Sequence, residues 1–403
     1  MRIIFLASNF PDPVNKTWAP WNKSAVDSVL EFAEPIVIAP RPFAPPFSKF
    51  SKIPKYNRHF GYPVHYPRFL YLLPKSLFYC LTGESYRCFV GRYILKGVEQ
   101  GNIQKPDVIH ALHPYLDGYG SVPIAKKLKV PLVVTVHSPN NLKVCSKKVL
   151  SALEHADKIV AVAKFIVKKL EDIGISGEKI EYISLGVNTE EFKPLSEKDS
   201  QIVVSKYKID PTDRVILYVG RLTKNKNIKT LLLAIWEVFR TSPKLRANTK
   251  IVIVGDGPER DSLQKLVKEL GLSKNVIFTG LVSHDSRELR ELYGIADIFV
   301  LPSFSEGKPV ALYEAMSSGC AIIASNVGGI PEQVFDNING FLIHPNDVNG
   351  LARKLIYLLE NEKDLERMKR ESRKLIFELG YTWEEYEKRI RQVYEYILNS
   401  QGI

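Results

Sequence analysis

The sequence predicts an α/β protein built from two doubly wound, Rossmann-like parallel sheets. Three observations point there. Short apolar runs recur along the chain, each followed by a stretch with helical apolar spacing, which is the pattern of βαβ units. The pattern then restarts: residues 2–7 open one series and residues 214–220 open another. Finally, 403 residues leave room for two domains of ordinary size.

In the first series, residues 2–7 read as a strand, too short an apolar run for a signal peptide. Residues 8–16 form a loop, 24–32 a helix and 35–39 the second strand. Residues 40–75, rich in Pro, aromatics and Lys/Arg, read as a long irregular excursion. Residues 70–96 have a helical rhythm that includes Leu77, Phe78, Leu81, Phe89, Tyr93 and Ile94. That stretch fits either an amphipathic membrane-surface element or a helix packed on the first sheet. Residues 107–110 form a strand ending at His110, and a helix follows to Leu128. Residues 130–138 form a buried strand that ends in His137. Helix 151–156, strand 157–162, helix 163–173 and strand 179–183 complete the series, and the linker spans about 193–212.

The second series opens with strand 214–220, the cationic loop Arg221-Leu222-Thr223-Lys224-Asn225-Lys226-Asn227, and a helix from about Ile228. Strand 250–254 ends in the tight turn Gly255-Asp256-Gly257-Pro258, and helix 259–270 follows. Residues 276–282 are a strand and loop, 283–293 a helix and 298–301 a buried strand. After that strand comes a polar turn with Gly307, and then Pro309 at the first position of a helix. Strand 320–324, the loop Gly328-Gly329 and strand 340–343 close the sheet, and helices over 349–359, 363–377 and 385–398 end the chain. His344 reads as a plain loop residue.

The turn at 302–309 is the chemical centre of this pattern. A strand-to-helix turn points free backbone N–H groups at whatever sits above the sheet edge, a ready anion site. Glu306 lies in the turn, and Glu314 lies one to two helical turns further on roughly the same face. Phosphate suits the amides, and sugar hydroxyls suit the carboxylates.

These residues carry a resemblance. Glu306 and Glu314, with seven residues between them, stand inside Pro-Ser-x-x-Glu-Gly-x-Pro-Val-x-x-x-Glu-Ala-Met. That string resembles the signature of retaining glycosyltransferases of family 4, which have the GT-B fold. The match extends over most of the C-terminal half and more weakly over the rest. It implies two Rossmann-like domains facing across a cleft, with the C-terminal helix crossing back to the first. The domains expected are 1–198 plus 382–403, which binds the acceptor, and 199–381, which binds the donor. It also implies transfer of a sugar from a nucleoside diphosphate sugar, such as a UDP- or GDP-sugar, with retention at the anomeric carbon.

Roles follow by the same resemblance. Glu306 contacts sugar hydroxyls and stabilises positive charge on the ring. Glu314 binds the ribose hydroxyls. Arg221 and Lys226 stabilise the departing diphosphate, where negative charge accumulates. The backbone around Lys308, Pro309 and Val310 holds the sugar and distal phosphate, and the segments at Gly220 and Val282 meet the nucleotide. His137 matches a histidine that faces the acceptor and the transferred sugar. His110 and His113 are weaker candidates, because the family's second histidine falls where this chain has Leu112. The family's Gly-Gly pair in the first loop is also missing; Thr17-Trp18-Ala19-Pro20-Trp21 stands there, which moves that phosphate contact to a side chain such as Lys16.

Composition sets the remaining bounds. No run of about 18 apolar residues is present, so no transmembrane helix is expected. Cys80, Cys88, Cys145 and Cys320 form no CxxC pair and read as isolated reduced thiols in a cytoplasmic protein. No Asp-x-Asp and no zinc spacing occurs, so metal-independent activity without a cofactor is expected. The net charge of +12 is uneven: residues 41–150 hold 17 Lys+Arg against 4 Asp+Glu. An anionic acceptor or the inner face of a membrane fits that field, as does plain solubility, while nucleic acid lacks a recognisable module. Two rivals remain, a sugar-nucleotide epimerase on the same scaffold and a non-catalytic two-lobed sugar-nucleotide-binding protein.

Overall fold

The computed structural model describes residues 1–15, 18–43, 49–72 and 79–400. The chain forms two compact units, Met1–Leu185 with Trp383–Ile403, and Gly186–Thr382.

The first unit is built on an eight-stranded sheet. From one edge to the other its strands are Ile180–Tyr182, Lys158–Ala161, Leu132–Val136, Val108–Ala111, Arg2–Leu6, Glu34–Ile38, Val64–His65 and Tyr56–Asn57. All neighbours pair in parallel except the last two strands. Ile3, Ile4, Phe5 and Leu6 are fully buried, as expected of a parallel strand covered on both faces. The C-terminal helix Trp383–Ser400 belongs to this unit. Its Tyr394 hydroxyl lies 2.6 Å from Nδ1 of His110, and its Arg391 lies over the Phe32 ring.

The second unit has a six-stranded, wholly parallel sheet in the order Val276–Gly280, Thr249–Val254, Arg214–Val219, Ile298–Leu301, Ala321–Ser325 and Gly340–Ile343. The strand order reverses beside Arg214–Val219, which makes the carboxyl ends of that strand and of Ile298–Leu301 a switch point where ligands bind in such sheets.

Several expectations are corrected. The excursion at 40–75 contains strands: Val64–His65 and Tyr56–Asn57 extend the first sheet, and Arg41–Pro42 pairs with Arg68–Phe69. Two-residue strands are too short to show alternation, so pattern reading passes over them. The linker at 193–212 contains the helix Glu197–Lys206, capped by Ser196. Pro309 is not inside the helix but immediately before Val310–Ser317, in extended conformation.

The four cysteines are not all isolated. Cys80 and Cys145 form a disulfide, with Cα atoms 5.7 Å apart across 65 residues, while Cys88 and Cys320 are free. Each bonded cysteine directly precedes a helix, Leu81–Glu99 or Ser146–His155, and the fold brings those helix starts together. Spacing along the chain carries no trace of that. The helix Leu81–Glu99 also decides part of the question about 70–96. It buries Tyr86, Val90 and Ile94 against the unit and leaves Leu81 and Phe89 exposed. Leu77 and Phe78 lie outside the described residues.

Candidate functional site

At the carboxyl edge of the second sheet three strands end side by side, with Val219 paired to Val254 and Val254 to Gly280. The loops continue that pairing: the Gly220 amide donates to Val254 O at 3.0 Å and the Gly255 amide to Gly280 O at 2.8 Å. Gly255 has φ +131°, and a Cβ there would lie 2.0 Å from the Gly220 carbonyl oxygen. Only glycine lets these two backbones approach so closely. The Gly255-Asp256-Gly257-Pro258 turn thus buttresses the Arg221 loop, with Leu222 N donating to Asp256 O at 3.0 Å.

The Arg221 loop is then sewn to the signature turn. Phe304 N donates to Asn225 O at 2.8 Å, Asn225 Nδ2 to Ser305 O at 2.9 Å, and Asn227 Nδ2 to Pro302 O at 3.1 Å. From behind, Gly329 N donates to Gly307 O at 2.7 Å. Gly328, at φ +57°, could carry no Cβ, because Glu306 O would be 2.0 Å away. The outcome is an ion pair: Lys226 Nζ lies 2.6 Å from Glu306 Oε1, with the side chains 25% and 10% exposed. Two residues read from separate motifs meet at one point. Arg221 is exposed, and among the described residues its guanidinium has no ion-pair partner.

Val310–Ser317 starts directly after that turn, so its first amides open beside Glu306. The Lys308 side chain turns inward instead. It is buried, with Nζ 3.4 Å from Glu332 Oε2 and 4.3 Å from the centroid of Tyr381. Glu314 is only 4% exposed. His284 Nε2 lies 2.7 Å from its Oε1, and the Tyr293 hydroxyl donates to its Oε2 at 2.7 Å. Burial opposes a charge on His284, but Glu314 and Asp285 outweigh it and hold the imidazole up at about 10. Val282 sits in the loop that joins strand Val276–Gly280 to helix Arg287–Gly294. That helix starts later than the sequence suggests, so His284 belongs to the loop.

In the first unit the histidines separate. His110 is fully buried, and both ring nitrogens are engaged, with the Tyr394 hydroxyl at 2.6 Å and Thr135 Oγ1 at 2.7 Å. It pins the C-terminal helix to the sheet and has no nitrogen left for an acceptor, which corrects its candidacy. His113 Nε2 contacts Asn141 Nδ2 at 2.8 Å. His137 follows strand Leu132–Val136, and its Nε2 is buried with no hydrogen-bond partner among the described residues. Burial, then His113, pushes its pKa down to about 3, so the ring is a neutral group at pH 7. Lys16 lies outside the described residues.

The first loop is staked without a glycine pair. Arg41, fully buried, donates Nε to Asp12 Oδ2 at 2.8 Å and Nη2 to Phe10 O at 2.6 Å. Asp117, also buried, accepts from Ser8 N at 2.9 Å and from the Tyr86 hydroxyl at 2.7 Å. Burial pushes Asp117 up to about 6 in spite of those bonds.

Residues 199–375 match the family described as Glycosyl transferases group 1, and residues 34–191 match Glycosyltransferase Family 4. An uncharacterized glycosyltransferase of Methanocaldococcus jannaschii is 27% identical over 354 residues, 84% of either chain. The chain belongs to glycosyltransferase family 4. Its fold is that of GT-B enzymes. Sucrose-phosphate synthase of Thermosynechococcus elongatus superposes with TM-score 0.79 at 20% identity, covering 99% of this chain and 100% of that one. HepE of Anabaena superposes with TM-score 0.74 at 18% identity, covering 98% and 99%.

In this glycosyltransferase, sequence reading missed His284, Asp117 and the Asp12–Arg41 pair. None of them stands in a motif of fixed spacing, and the partner that marks each comes from a distant segment: Glu314 for His284, Tyr86 for Asp117 and Asp12 for Arg41. Arg41 held one available signal, a cation inside an apolar and Pro-rich stretch directly after a buried strand.

Proposed function

We propose that this family 4 transferase moves a glycosyl group from a nucleoside diphosphate sugar, with retention and without a metal ion, to an acceptor met by the first unit. One observation carries the reading: Lys226 and Glu306 are paired at 2.6 Å beside the start of helix Val310–Ser317. A cation, a carboxylate and helical amides then converge where a diphosphate and its sugar require them. The diphosphate lies against the first amides of that helix, with Lys226 and the exposed Arg221 beside it. As the glycosidic bond breaks, negative charge moves onto the leaving phosphate, and these groups stabilise it. Glu306 takes the sugar hydroxyls and the positive charge that develops on the ring. Glu314 takes the ribose hydroxyls, and His137 contacts the sugar or acceptor.

Glu314 is already bonded to His284 and Tyr293, which suits a binding carboxylate better than a nucleophile. The leaving phosphate oxygen therefore accepts the acceptor's proton on the same face of the sugar. HepE of Anabaena has been crystallised with UDP and with UDP-glucose, and that precedent supports a nucleoside diphosphate sugar as the donor. The test is a thermal-shift panel of nucleoside diphosphates and their sugars, followed by turnover of the best stabiliser with and without EDTA. A donor should raise the midpoint by mass action. Activity that EDTA abolishes and Mg²⁺ restores would refute the metal-independent step, and interconversion of the donor sugar without acceptor would favour an epimerase.

The acceptor we assign is anionic, presented at a membrane surface. Phe43 and Phe89, 52% and 41% exposed, meet edge to face at 5.6 Å in the most basic stretch of the chain. No helix among the described residues is long and apolar enough to cross a membrane, so contact would be peripheral. Sedimentation with phosphatidylglycerol vesicles should retain the protein more than neutral vesicles do, and equal partition would remove this part of the assignment.

A further inference from the structure

We propose that His284 is a positioning residue for the nucleotide, holding the Glu314 carboxylate toward the ribose and tying the base-side loop to helix Val310–Ser317. The inference rests on the reading of Glu314 as the ribose-binding group. The geometry is specific. Glu314 is almost wholly buried, and its two oxygens receive one hydrogen bond each, from His284 at 2.7 Å and from Tyr293 at 2.7 Å. A carboxylate offers about four acceptor positions, so one remains on each oxygen. Two vicinal hydroxyls of a ribose need that remainder.

The two donors come from different elements. Tyr293 is fully buried on helix Arg287–Gly294, so its hydroxyl is fixed by packing. His284 stands in the loop directly before that helix, two residues after Val282. The loop is stiff at its far end: Ser286 N and Oγ both donate to Ser283 O, and Ser286 Oγ accepts from Leu289 N as the helix cap. Asp285 Oδ1 lies 3.4 Å from Nδ1 of His284, and the Phe192 ring lies against the imidazole at 6.1 Å. Glu314 and Asp285 thus face the two ring nitrogens, and both favour the imidazolium, whose two N–H groups donate outward. One hydrogen bond then sets two contacts at once: the direction of the carboxylate that reads the sugar of the nucleotide, and the placement of the loop beside its base.

The experiment compares full-length wild type, H284A and H284Q by calorimetric titration. The probes are UDP, GDP, ADP and CDP, each beside its 2′,3′-dideoxy counterpart. For the diphosphate that wild type binds best, H284A should bind about ten-fold or more weakly, the size expected for losing a hydrogen bond to a charged group. With the dideoxy form the same substitution should cost about two-fold or less, because the hydroxyls that report on Glu314 are gone. H284Q, which keeps an N–H donor, should recover part of the loss. Thermal midpoints accompany each titration, and a general loss of structure would weaken both probes alike. If H284A weakens ribose and dideoxy forms equally, or neither, the positioning role is overturned while the donor reading stands. If wild type binds none of the diphosphates, the donor reading falls and takes this inference with it.

Discussion

Replacing Lys226 with Met tests the centre of the proposed site. The side chain is three-quarters buried and its partner Glu306 nine-tenths buried, at 2.6 Å. A unit-charge pair at contact contributes about 1 kcal/mol in water and about 4 kcal/mol at the effective dielectric of a partly buried site. The exposures place Lys226 toward the second value. A diphosphate that gains charge as it leaves loses comparable stabilisation when the cation is removed, so kcat/KM should fall roughly a hundred- to a thousand-fold. The assay is slow hydrolysis of the nucleotide sugar, with water in place of the acceptor, read as released nucleoside diphosphate. E306Q and the double variant complete a cycle. The two groups touch, so the double loss should fall short of the sum of the single losses by about 1–3 kcal/mol. A K226M enzyme within three-fold of wild type, correctly folded, would refute the reasoning. So would strictly additive losses, which would mean that the pair does not act as a unit.

Other outcomes follow from the same structure. The Cys80–Cys145 bridge closes a long loop, so the C80S/C145S variant should lose about 4 kcal/mol of stability on the chain-entropy account. Thiol titration of the denatured, unreduced protein should find two free cysteines, and finding four would exclude the bridge. R41M removes one partner of a fully buried pair and should cost about 3–5 kcal/mol in urea unfolding. Burial holds the pKa of His110 and His137 down at about 3 and those of His65 and His113 at about 4. Depressed histidines contribute stability that is fully present above the unfolded value near 6.5 and is lost as pH falls toward the folded values. Melting midpoints should therefore drop from pH 6.5 downward, at about 1.4 kcal/mol per pH unit for each proton taken up on unfolding. A flat profile between pH 6.5 and 4.5 would contradict the neutral, buried state of these rings.

Some of the site was readable before any coordinates. The apolar runs at 214–220 and 298–301 appear as adjacent parallel strands, because buried strands need continuous apolar residues. The turn between Leu301 and Val310 was legible for a similar reason, since Gly307 and Pro309 punctuate a change from strand to helix. Other features left no pattern. His110 and His137 are both strand-end histidines in the sequence, yet one has both nitrogens engaged in the core while the other keeps a buried nitrogen without a partner among the described residues. What separates them is Tyr394, which lies 284 residues from His110 along the chain.

By itself, the sequence determined the two α/β series, the strand–turn–helix at 301–316 and the family, because periodicity and turn chemistry act between near neighbours. Tertiary structure alone decided that Lys226 reaches Glu306, that His284 and Tyr293 share Glu314, that Arg41 stakes the first loop through Asp12 and Phe10, and that Cys80 bonds Cys145. Those contacts depend on where separate segments stop in space, and a hydrogen bond or ion pair is sensitive to fractions of an ångström that no spacing along the chain encodes.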